Sequence, residues 1–519
     1  MGSLAEVMKG QSFLRNGDRN DYDPERWQAS PGDLPERLPV TGLKVLVVGA
    51  GTGGLMSALE CWRNGHEVVG ILERSENPVF AGDIIIFGPS AIRTLRHWPQ
   101  MCKELAEDSR DSETYYRRHY GELILGPSVP IYNDPEYLEE RQGLPFVAPF
   151  QIRRKFHEML LRQVARIGLK VQYGQRAEKY FEDDSVGVGG VLTQDGVQHV
   201  ADLVIAADGH HSNSELLIAD KRLPTRSSGM SVYRTAFPTE LAMRNDAFRK
   251  QWGERAKKDT SQEYWLGPGM HIGILISPDL VAWGLTPRDQ FLLPGGSEPK
   301  ESWDPDVSSQ EVLAVLNRVS DWHPAIQGLV SSTPEGSITH WPLLWRNLRP
   351  EWTSKSGRVV QVGDAAHTTV PSSVSGGTLA VEDAVTLAAC LRHACTDNAY
   401  KSGPLGARVY NLLRYERASC VQKMAFVNSQ LMGATNWENI RKDPKQIRLK
   451  FPKWVFRHDV ETYVDDKFSQ ARAHVLEGKS FQNTNIPAGH VFESWTIEEI
   501  HKDIAEGKVI ADLLDGDWS

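Results

Sequence analysis

The sequence predicts an α/β fold, in which a dinucleotide-binding domain of the Rossmann type is interleaved with a second domain rich in β-strands. The first observation is a buried strand, a glycine-rich turn, a helix and a second strand, all within residues 44–73. The second is another strand–turn–helix unit that begins near residue 358. The third is a region between about residues 225 and 350 where strand patterns dominate, and eight of the fifteen tryptophans fall between Trp252 and Trp352.

The chain begins with an arm, residues 1–40, in which four prolines stand among polar residues with little periodicity. We expect this arm to lie extended over a surface or to be disordered. A buried parallel strand then covers residues 44–48, a helix follows the glycine turn up to residue 63, and a second strand covers residues 67–73.

Later elements follow from the same periodicities. We expect a helix at residues 154–166 and a short buried strand at residues 202–207. A strand at residues 358–362 should lead into a long helix, and residues 405–432 should form another. The last 85 or so residues read as a polar helical tail.

Composition and charge restrict the function classes. The 519 residues include 58 basic and 67 acidic side chains, for a net charge of −9, which argues against a nucleic-acid binder or a protein held on an anionic membrane. No uncharged apolar stretch reaches the roughly 20 residues of a spanning helix, and the N-terminus lacks a signal-peptide pattern. Five cysteines without zinc-type spacing predict reduced thiols, no metal site and a cytoplasmic protein.

The glycine-rich turn has the spacing of a phosphate-binding loop, with Gly49, Gly51 and Gly54 in the pattern GxGxxG and Thr52 opening the helix. The three glycines permit a tight turn, close approach of a pyrophosphate, and close packing of helix on strand. Glu73 ends the next strand nineteen residues after Gly54, where a carboxylate can accept hydrogen bonds from a ribose. A dinucleotide is therefore expected here; the alternative is a glycine-rich turn that binds no ligand.

Two further turns follow strands in the same manner: Asp208 comes after one strand, and Gly363 and Asp364 come after another. Residues 371–383 then read PSSVSGGTLAVED. With the GxGxxG turn, these segments resemble the flavin-dependent aromatic hydroxylases, the para-hydroxybenzoate and salicylate hydroxylase family of monooxygenases. The resemblance is closest to fungal members that tailor secondary metabolites, and it covers about residues 42–425.

The resemblance implies an FAD site and a division into domains. The residues it implies for cofactor binding are Gly49, Gly51, Thr52, Gly54, Glu73, Arg153, Asp208, Asp364, Gly376 and Gly377. The implied FAD-binding domain comprises residues 41–81, 147–222 and 353–430, and the implied substrate domain comprises residues 82–146 and 223–352. The arm and a helical C-terminal extension, residues 431–519, lie outside the resemblance.

The sequence departs from the family beside the second motif. Glu215 stands where the family usually has an arginine, and a carboxylate there should repel the phosphates of NADPH. The alternative is that Glu215 points away from the cleft and pairs with a neighbouring basic residue such as Lys221 or Arg222. The adjacent His210 and His211 are candidates to compensate for the missing cation, or they are simply solvated.

Two smaller departures lie near the expected flavin. Val374 precedes Ser375 and Gly376 where a glycine-first loop is commoner, and the segment Gly82–Asp83–Ile84 lacks a second glycine. Neither removes a catalytic side chain, although Ile84 should narrow the space there.

The resemblance also implies the chemistry. NAD(P)H reduces FAD, O2 adds to the flavin, and the resulting hydroperoxide transfers one oxygen atom to an aromatic, indolic or polyketide-like small molecule. Tyr233, Arg234 and His271 are candidates to orient or deprotonate a phenol-like group, and Pro371 is expected near the reactive edge of the flavin. The alternative for these strand residues is sheet packing.

Two other functions remain open from the sequence. One is a flavoprotein oxidase or reductase on the same scaffold without oxygen insertion, which Glu215 keeps open. The other is a dinucleotide-binding protein without turnover. The oligomeric state is left open as well.

Overall fold

A computed structural model of the protein describes residues 15–30, 32–80, 84–108, 112–129, 151–301, 305–373, 375–396, 403–433, 437–509 and 514–518. The strands in chain order are β1 Arg15–Asn16, β2 Lys44–Val48, β3 Glu67–Leu72, β4 Val79–Phe80, β5 Ile84–Ile85, β6 Ser112–Arg118, β7 Leu123–Ser128, β8 Gln151–Ile152, β9 Val171–Gln172, β10 Ala177–Asp183, β11 Val188–Thr193, β12 Gln198–Ala201, β13 Leu203–Ala206, β14 Arg226–Pro238, β15 Thr260–Gly267, β16 Met270–Ile276, β17 Leu280–Pro287, β18 Thr339–Trp345 and β19 Val359–Gln361.

The α-helices in chain order are α1 Thr52–Arg63, α2 Pro89–Thr94, α3 Pro99–Asp108, α4 Arg153–Arg166, α5 Ser214–Ala219, α6 Thr239–Ala242, α7 Asp246–Trp252, α8 Ser309–Leu316, α9 Pro324–Ser331, α10 Gly376–Thr396, α11 Gly403–Gly433, α12 Trp437–Lys442, α13 Lys453–Phe456, α14 Val460–Glu477 and α15 Ile497–Ala505. The helices expected from periodicity at residues 154–166, after residue 362 and at residues 405–432 are therefore confirmed as α4, α10 and α11. No helix within the described ranges is long and apolar enough to cross a membrane.

A parallel five-stranded sheet in the order β19-β13-β2-β3-β9 forms the centre of the nucleotide-binding part. Its middle strand, β2, pairs Val47 with Ile205 on one side and with Ile71 on the other. These strands read as continuous apolar runs because both faces of the sheet are covered. Helices α1, α4 and α10 pack on one face, and the antiparallel sheet β10-β11-β12 packs on the other.

A seven-stranded sheet in the order β18-β14-β17-β16-β15-β6-β7 forms the second part of the molecule, which confirms that strands dominate this region. One face of this sheet packs against α7, α8 and α9 in an apolar cluster that includes Trp252, Trp265, Trp283 and Trp322. These tryptophans therefore build a core. The opposite face meets the short β5–β8 ribbon through Ile84 and Ile152.

The C-terminal tail, from α12 onwards, packs against the rest of the chain. Val464, Phe468 and Ala471 on one face of α14 join the main apolar core, where α14 lies against α10 and α11. The tail is helical only in part, because an irregular stretch at residues 478–496 separates α14 from α15.

The described part of the N-terminal arm runs over the surface of the nucleotide-binding part. This is one of the two states that the sequence led us to expect.

Candidate cofactor and active site

The glycine turn between β2 and α1 leaves no room for side chains at two positions. Gly49 has φ +104, and a Cβ there would lie 2.3 Å from the carbonyl oxygen of Ala207. A Cβ on Gly54 would lie 1.9 Å from the carbonyl oxygen of Gly49. At Gly51, by contrast, nothing described lies within 4 Å of such a Cβ. The side of the turn that faces Ala207 is thus tightly packed, whereas the side at Gly51 is open. On the open side, the first amides of α1, which begins at Thr52, can donate hydrogen bonds to an anion.

Glu73 lies beside this turn at the end of β3. Its Oε2 accepts from the amide of Ala50 at 2.9 Å, and its Oε1 accepts from the amide and hydroxyl of Ser75, both at 3.0 Å. A cleft of about 270 Å³ opens in front of the carboxylate, with Thr52 and Arg153 among its lining residues. The structure therefore brings together the glycine turn, Glu73 and Arg153, as the sequence led us to expect.

His157 also holds the turn, and the sequence analysis did not single it out. Its Nε2 lies 2.8 Å from the carbonyl oxygen of Ala50. Burial lowers the pKa of His157, so the ring is neutral at pH 7 and its Nε2–H donates to that carbonyl. The only sequence signal was the position of His157 one helical turn after Arg153, on the helix that borders the cleft.

The turn after β19 presents Asp364 on a short 3-10 helix, Gly363–Ala365. The side chain of Asp364 is exposed. Gly363 has φ +60, a Cβ there would meet Ala380 at 3.3 Å, and its amide donates to Asp383 Oδ2 at 2.8 Å. The Gly363–Asp364 turn is therefore fixed by helix α10.

A buried charge network fixes the same helix from behind. Asp383 accepts from Arg414 at 2.8 Å and lies 2.5 Å from the ring of His367. Glu382 accepts from Arg414 at 2.6 Å and from Arg417 at 2.9 Å. Burial alone would raise the pKa of Glu382, but the two arginines overcome it and hold that pKa well below its usual range.

The network also reaches the C-terminal tail, because Arg417 donates to the carbonyls of Trp454, Val455 and Asn485 at 2.9–3.1 Å. The Glu-Asp pair was noticed in the sequence only as part of the loop–helix pattern. Its arginine partners lie about thirty residues away, so no local spacing indicated them.

The predicted flavin loop joins the turn to α10. Pro371 is exposed in a 3-10 turn, Pro371–Ser373. Helix α10 begins at Gly376, and a Cβ on Gly377 would lie 2.8 Å from Phe87. The start of α10 thus borders the β5–β8 ribbon, because a Cβ on Gly377 would also lie 3.1 Å from Ile85; Ile84 beside it is half-buried. Val374, Gly82 and Asp83 lie outside the described residues.

Asp208 lies just beyond β13, between the turns that follow β2 and β19. Burial raises the pKa of Asp208, although the nearby hydroxyls of Ser212 and Tyr180 oppose the rise. Its Oδ1 is buried and meets no donor in hydrogen-bonding geometry among the described residues. An acceptor of this kind suits a ligand hydroxyl.

The predicted repulsion of NADPH by Glu215 is wrong, and the alternative, pairing with basic residues, is confirmed with other partners than the two named. The side chain is only 6% exposed and pairs with Arg346 at 3.2 Å and Arg349 at 3.9 Å. Arg346 also donates to the carbonyl of His210 at 2.5 Å. The carboxylate therefore neutralises two cations from beyond β18 and does not repel a ligand.

The two loop histidines contact an acid, although solvation or compensation for a missing cation was expected. His210 and His211 each place Nε2 2.9 Å from an oxygen of Glu301. Burial lowers the pKa of His210, with His211 as the next cause.

Arg234, unlike its neighbour Tyr233, faces the nucleotide-binding part. Successive residues of a strand point to opposite faces. Tyr233 lies in the tryptophan-rich core, where it stacks on His340 with ring centroids 3.8 Å apart and donates to Glu311 at 3.2 Å. Its predicted catalytic role is therefore wrong. Arg234 points the other way and donates to the carbonyl of Ile84 at 3.3 Å.

His271 shares the face of Arg234, because Met270 and Ile272 on either side of it point into the tryptophan-rich core. Burial lowers the pKa of His271 to about 4, so its imidazole is neutral at pH 7.

A shallow trough crosses this face of the sheet. Strand pairing puts Arg234 beside Gly284, Gly284 beside Gly273, Gly273 beside Tyr264, and Tyr264 beside Tyr116. The two central positions lack side chains, so an arginine borders the trough on one side and two stacked tyrosine rings, 5.2 Å apart, border it on the other.

The tail closes the tyrosine end of the trough. Trp437, Ile440 and Ile447 form an apolar cluster with Tyr116 and Tyr264. The role of these tail residues had no signal in the sequence, because the contact joins segments about 170 to 330 residues apart in a chain of 519.

Comparisons with known proteins identify the family of the chain. A family described as "FAD binding domain" matches residues 42–405. A relative from Aspergillus aculeatus, named FAD-dependent monooxygenase AacuC, is 63% identical over 513 residues, which cover 98% of this chain and 100% of the relative. A second from Emericella nidulans, named FAD-dependent monooxygenase mdpD, is 52% identical and covers 97% of this chain and 98% of that relative.

Solved structures are similar over most of the chain. The native crystal structure of FqzB matches with a TM-score of 0.75 and 27% identity, covering 88% of this chain and 100% of that one. A salicylate hydroxylase substrate complex has a TM-score of 0.63 at 20% identity, covering 83% of this chain and 98% of that one. The second likeness concerns the fold alone.

Proposed function

The chain belongs to the FAD-dependent monooxygenases, a family of oxidoreductases, and on this premise we propose that it inserts one oxygen atom from O2 into a flat aromatic, indolic or polyketide-like molecule. We propose NAD(P)H as the reductant and secondary-metabolite biosynthesis as the setting. Family membership makes the chain an enzyme, which removes the alternative of a dinucleotide-binding protein without turnover.

One observation carries the cofactor assignment. The glycine turn, Glu73, Asp208 and Asp364 each follow a strand of the same parallel sheet, β2, β3, β13 and β19. Carboxyl ends of parallel strands lie at one edge, which is where ligands bind in open α/β sheets. The four groups therefore face one site, although they are spread over more than 300 residues of chain.

The residues present fit FAD. The open front of Gly51 and the first amides of α1 suit a diphosphate, and Glu73 suits the adenosine ribose. The exposed carboxylate of Asp364 and the buried Oδ1 of Asp208 are acceptors suited to sugar-like hydroxyls. We propose that Arg153, Gly376 and Gly377 complete the site. When bound, FAD supplies electron transfer from NAD(P)H and the activation of O2.

The protein's own part in the reaction is binding, orientation and exclusion of water. We propose that the substrate lies in the trough over Gly273 and Gly284, because a flat ring system fits a floor without side chains. The guanidinium of Arg234 suits an acidic phenol or carboxylate at one end, and the Tyr264 ring suits an aromatic edge at the other. Pro371 and the start of α10 are proposed to border the reacting edge of the flavin.

His271 offers a neutral imidazole on this face. Its pKa of about 4 keeps the ring unprotonated at pH 7, so a ring nitrogen can accept a hydrogen bond from a phenolic hydroxyl. A group with so low a pKa is too weak a base to deprotonate a phenol, so we propose that His271 orients the substrate hydroxyl and that Arg234 stabilises negative charge on it.

We further propose the domain division implied by the sequence: an FAD-binding domain of residues 41–81, 147–222 and 353–430, and a substrate domain of residues 82–146 and 223–352. The cluster of Trp437, Ile440 and Ile447 against the sheet supports an added role for the extension, residues 431–519, as a wall of the substrate site.

The test is oxygen incorporation by the purified protein. NADPH and NADH are each supplied with a panel of hydroxylated aromatic polyketides and indoles under heavy-isotope oxygen gas, and products are read by mass spectrometry. We expect one heavy oxygen atom per product and substrate-stimulated oxidation of the nicotinamide. Nicotinamide or substrate oxidation that leaves no heavy oxygen in any product would instead favour the oxidase or reductase alternative.

A further inference from the structure

We propose that the N-terminal strap, defined here as residues 15–30 and 32–41, positions one wall of the cofactor cleft and slows the release of FAD. The proposal rests on the proposed FAD site and assigns a role to a segment that lies outside the matched family region, residues 42–405. It concerns the wall formed by residues 76–80, which follows Glu73 and lines the cleft through Pro78, Val79 and Phe80.

The far end of the strap is anchored at the opposite edge of the parallel sheet from the cleft. Arg37 donates to the carbonyls of Trp62 and His66, both at 3.0 Å. The amide of Thr41 donates to the carbonyl of Gly65 at 3.0 Å. These groups lie just before β3 begins, so this end of the strap does not touch the cleft.

The middle of the strap crosses helix α4. The ring of Trp27 lies beneath the guanidinium groups of Arg162 and Arg166, whose Cζ atoms are 5.9 and 5.1 Å from the ring centroid. Asp23 pairs with Lys170 at 2.6 Å. The strap therefore follows a defined course along the surface from the far edge of the sheet towards the cleft.

The near end of the strap supplies the strand partner of the cleft wall. Strand β1 pairs with β4, with Arg15 opposite Phe80 and Asn16 opposite Val79, and the amide of Gly17 donates to the carbonyl of Pro78 at 2.8 Å. Among the described residues, β4 has no other strand partner. Without the strap, the backbone of this wall would be an exposed edge held by side chains alone.

Aromatic contacts carry the restraint from the wall to the phosphate turn. Tyr22 meets the buried ring of Phe80 edge-on at 6.2 Å, and Phe80 meets the ring of His157 edge-on at 5.9 Å. His157 donates to the carbonyl of Ala50, beside Gly51. The strap thus supports both the wall and, through two rings, the loop that faces the diphosphate.

The close approach of Gly17 to Phe80 offers a second way to perturb the contact between the strap and β4. A Cβ on Gly17 would lie 2.5 Å from Cε2 of Phe80, so the strap passes Phe80 at a distance that only glycine permits. A larger side chain would have to lift the strap from β4 or displace the Phe80 ring.

The test measures FAD release by the increase in flavin fluorescence after dilution of the loaded, full-length protein. Three variants are compared with wild type: Gly17→Val, Tyr22→Ala, and Arg37→Ala as the matched control at the far end of the strap. We expect the first two to release FAD about tenfold faster. This change corresponds to a decrease of about 1.4 kcal/mol in the activation free energy of release. The Arg37 variant should lower the melting temperature of the apoprotein but leave the release rate unchanged.

The possible results distinguish a failure of the strap proposal from a failure of the proposed FAD site. Wild-type release rates in both Gly17→Val and Tyr22→Ala would overturn the strap proposal and leave the FAD site standing. Equal acceleration in all three variants would also overturn it, because general destabilisation would then explain the effect. A wild-type protein that takes up no FAD would instead contradict the proposed function.

Discussion

Replacing Glu215 tests whether the residue is a buried counter-ion or a surface charge near a nucleotide. In Glu215→Arg, a third cation would enter a site where the carboxylate is 6% exposed and Arg346 is 9% exposed. Burial already lowers the pKa of Arg346, and Glu215 opposes that fall. Breaking a buried pair in this way costs about 3–5 kcal/mol. We therefore expect a clearly lower melting temperature, and no improvement in the use of NADPH.

The conservative variant Glu215→Gln shows how much of the loss in folding stability comes from the missing charge alone. Glu215→Gln keeps the shape and removes the charge, so Arg346 loses a charged acceptor and the cost falls to about 1.5–3 kcal/mol. Glu240→Arg makes the same charge change at an exposed position and serves as the control, with almost no effect expected.

The assay combines thermal unfolding of the three variants with stopped-flow flavin reduction by NADPH at two salt concentrations. A Glu215→Arg protein as stable as wild type would refute the buried pairing. Faster reduction at low salt that disappears at high salt would show instead that the carboxylate acts on the nucleotide.

Three further predictions concern the cofactor, the charge network and the substrate. Asp364→Ala should weaken FAD binding by about 1–3 kcal/mol because ribitol hydroxyls lose an acceptor, as measured by fluorescence titration; unchanged affinity would show that the turn does not contact FAD. The pKa of Asp383 is lowered, since His367 and Arg414 outweigh the rise that burial alone would cause. Its stabilisation is therefore present above the unfolded value of about 3.9 and lost as pH falls below it. The difference in melting temperature between wild type and Asp383→Asn should shrink as the pH falls below about 4; a difference that stays constant into strong acid would contradict this. Once a substrate is known, Arg234→Met should raise its KM, whereas Tyr233→Phe on the opposite face should leave KM unchanged, and equal effects would mean that the trough is not the substrate site.

Local signals were enough to predict the strands, turns and helices at the carboxyl edge of the parallel sheet. The strand, turn and helix around Gly49, and the carboxylate of Glu73 after the next strand, are neighbours in the chain and in space. The same holds for the turn at Asp364, because a strand and a helix flank it directly. In each case the residues that specify the geometry lie within a few positions of the group that they place.

The predictions failed where the role of a residue depends on the strand register, to within one position, or on a partner that is distant in the sequence. Tyr233 and Arg234 occupy adjacent positions, and a strand sends them to opposite faces, so their roles depend on which face meets the helices. Glu215 looked like a loop charge because Arg346, its partner, lies 131 residues away. Arg417 was missed, and the course of the arm was left open, for the same reason, since these contacts form only when the tail and the arm pack on the folded domain.

The most direct test of the cofactor site is to titrate the protein with the two halves of FAD, using ADP and riboflavin as separate probes. We predict that ADP competes with FAD, that Glu73→Ala weakens the binding of ADP but not of riboflavin, and that Asp364→Ala weakens FAD while leaving ADP unchanged. Binding of ADP that is indifferent to Glu73, or equally sensitive to both substitutions, would contradict the placement of FAD along the carboxyl edge of the parallel sheet.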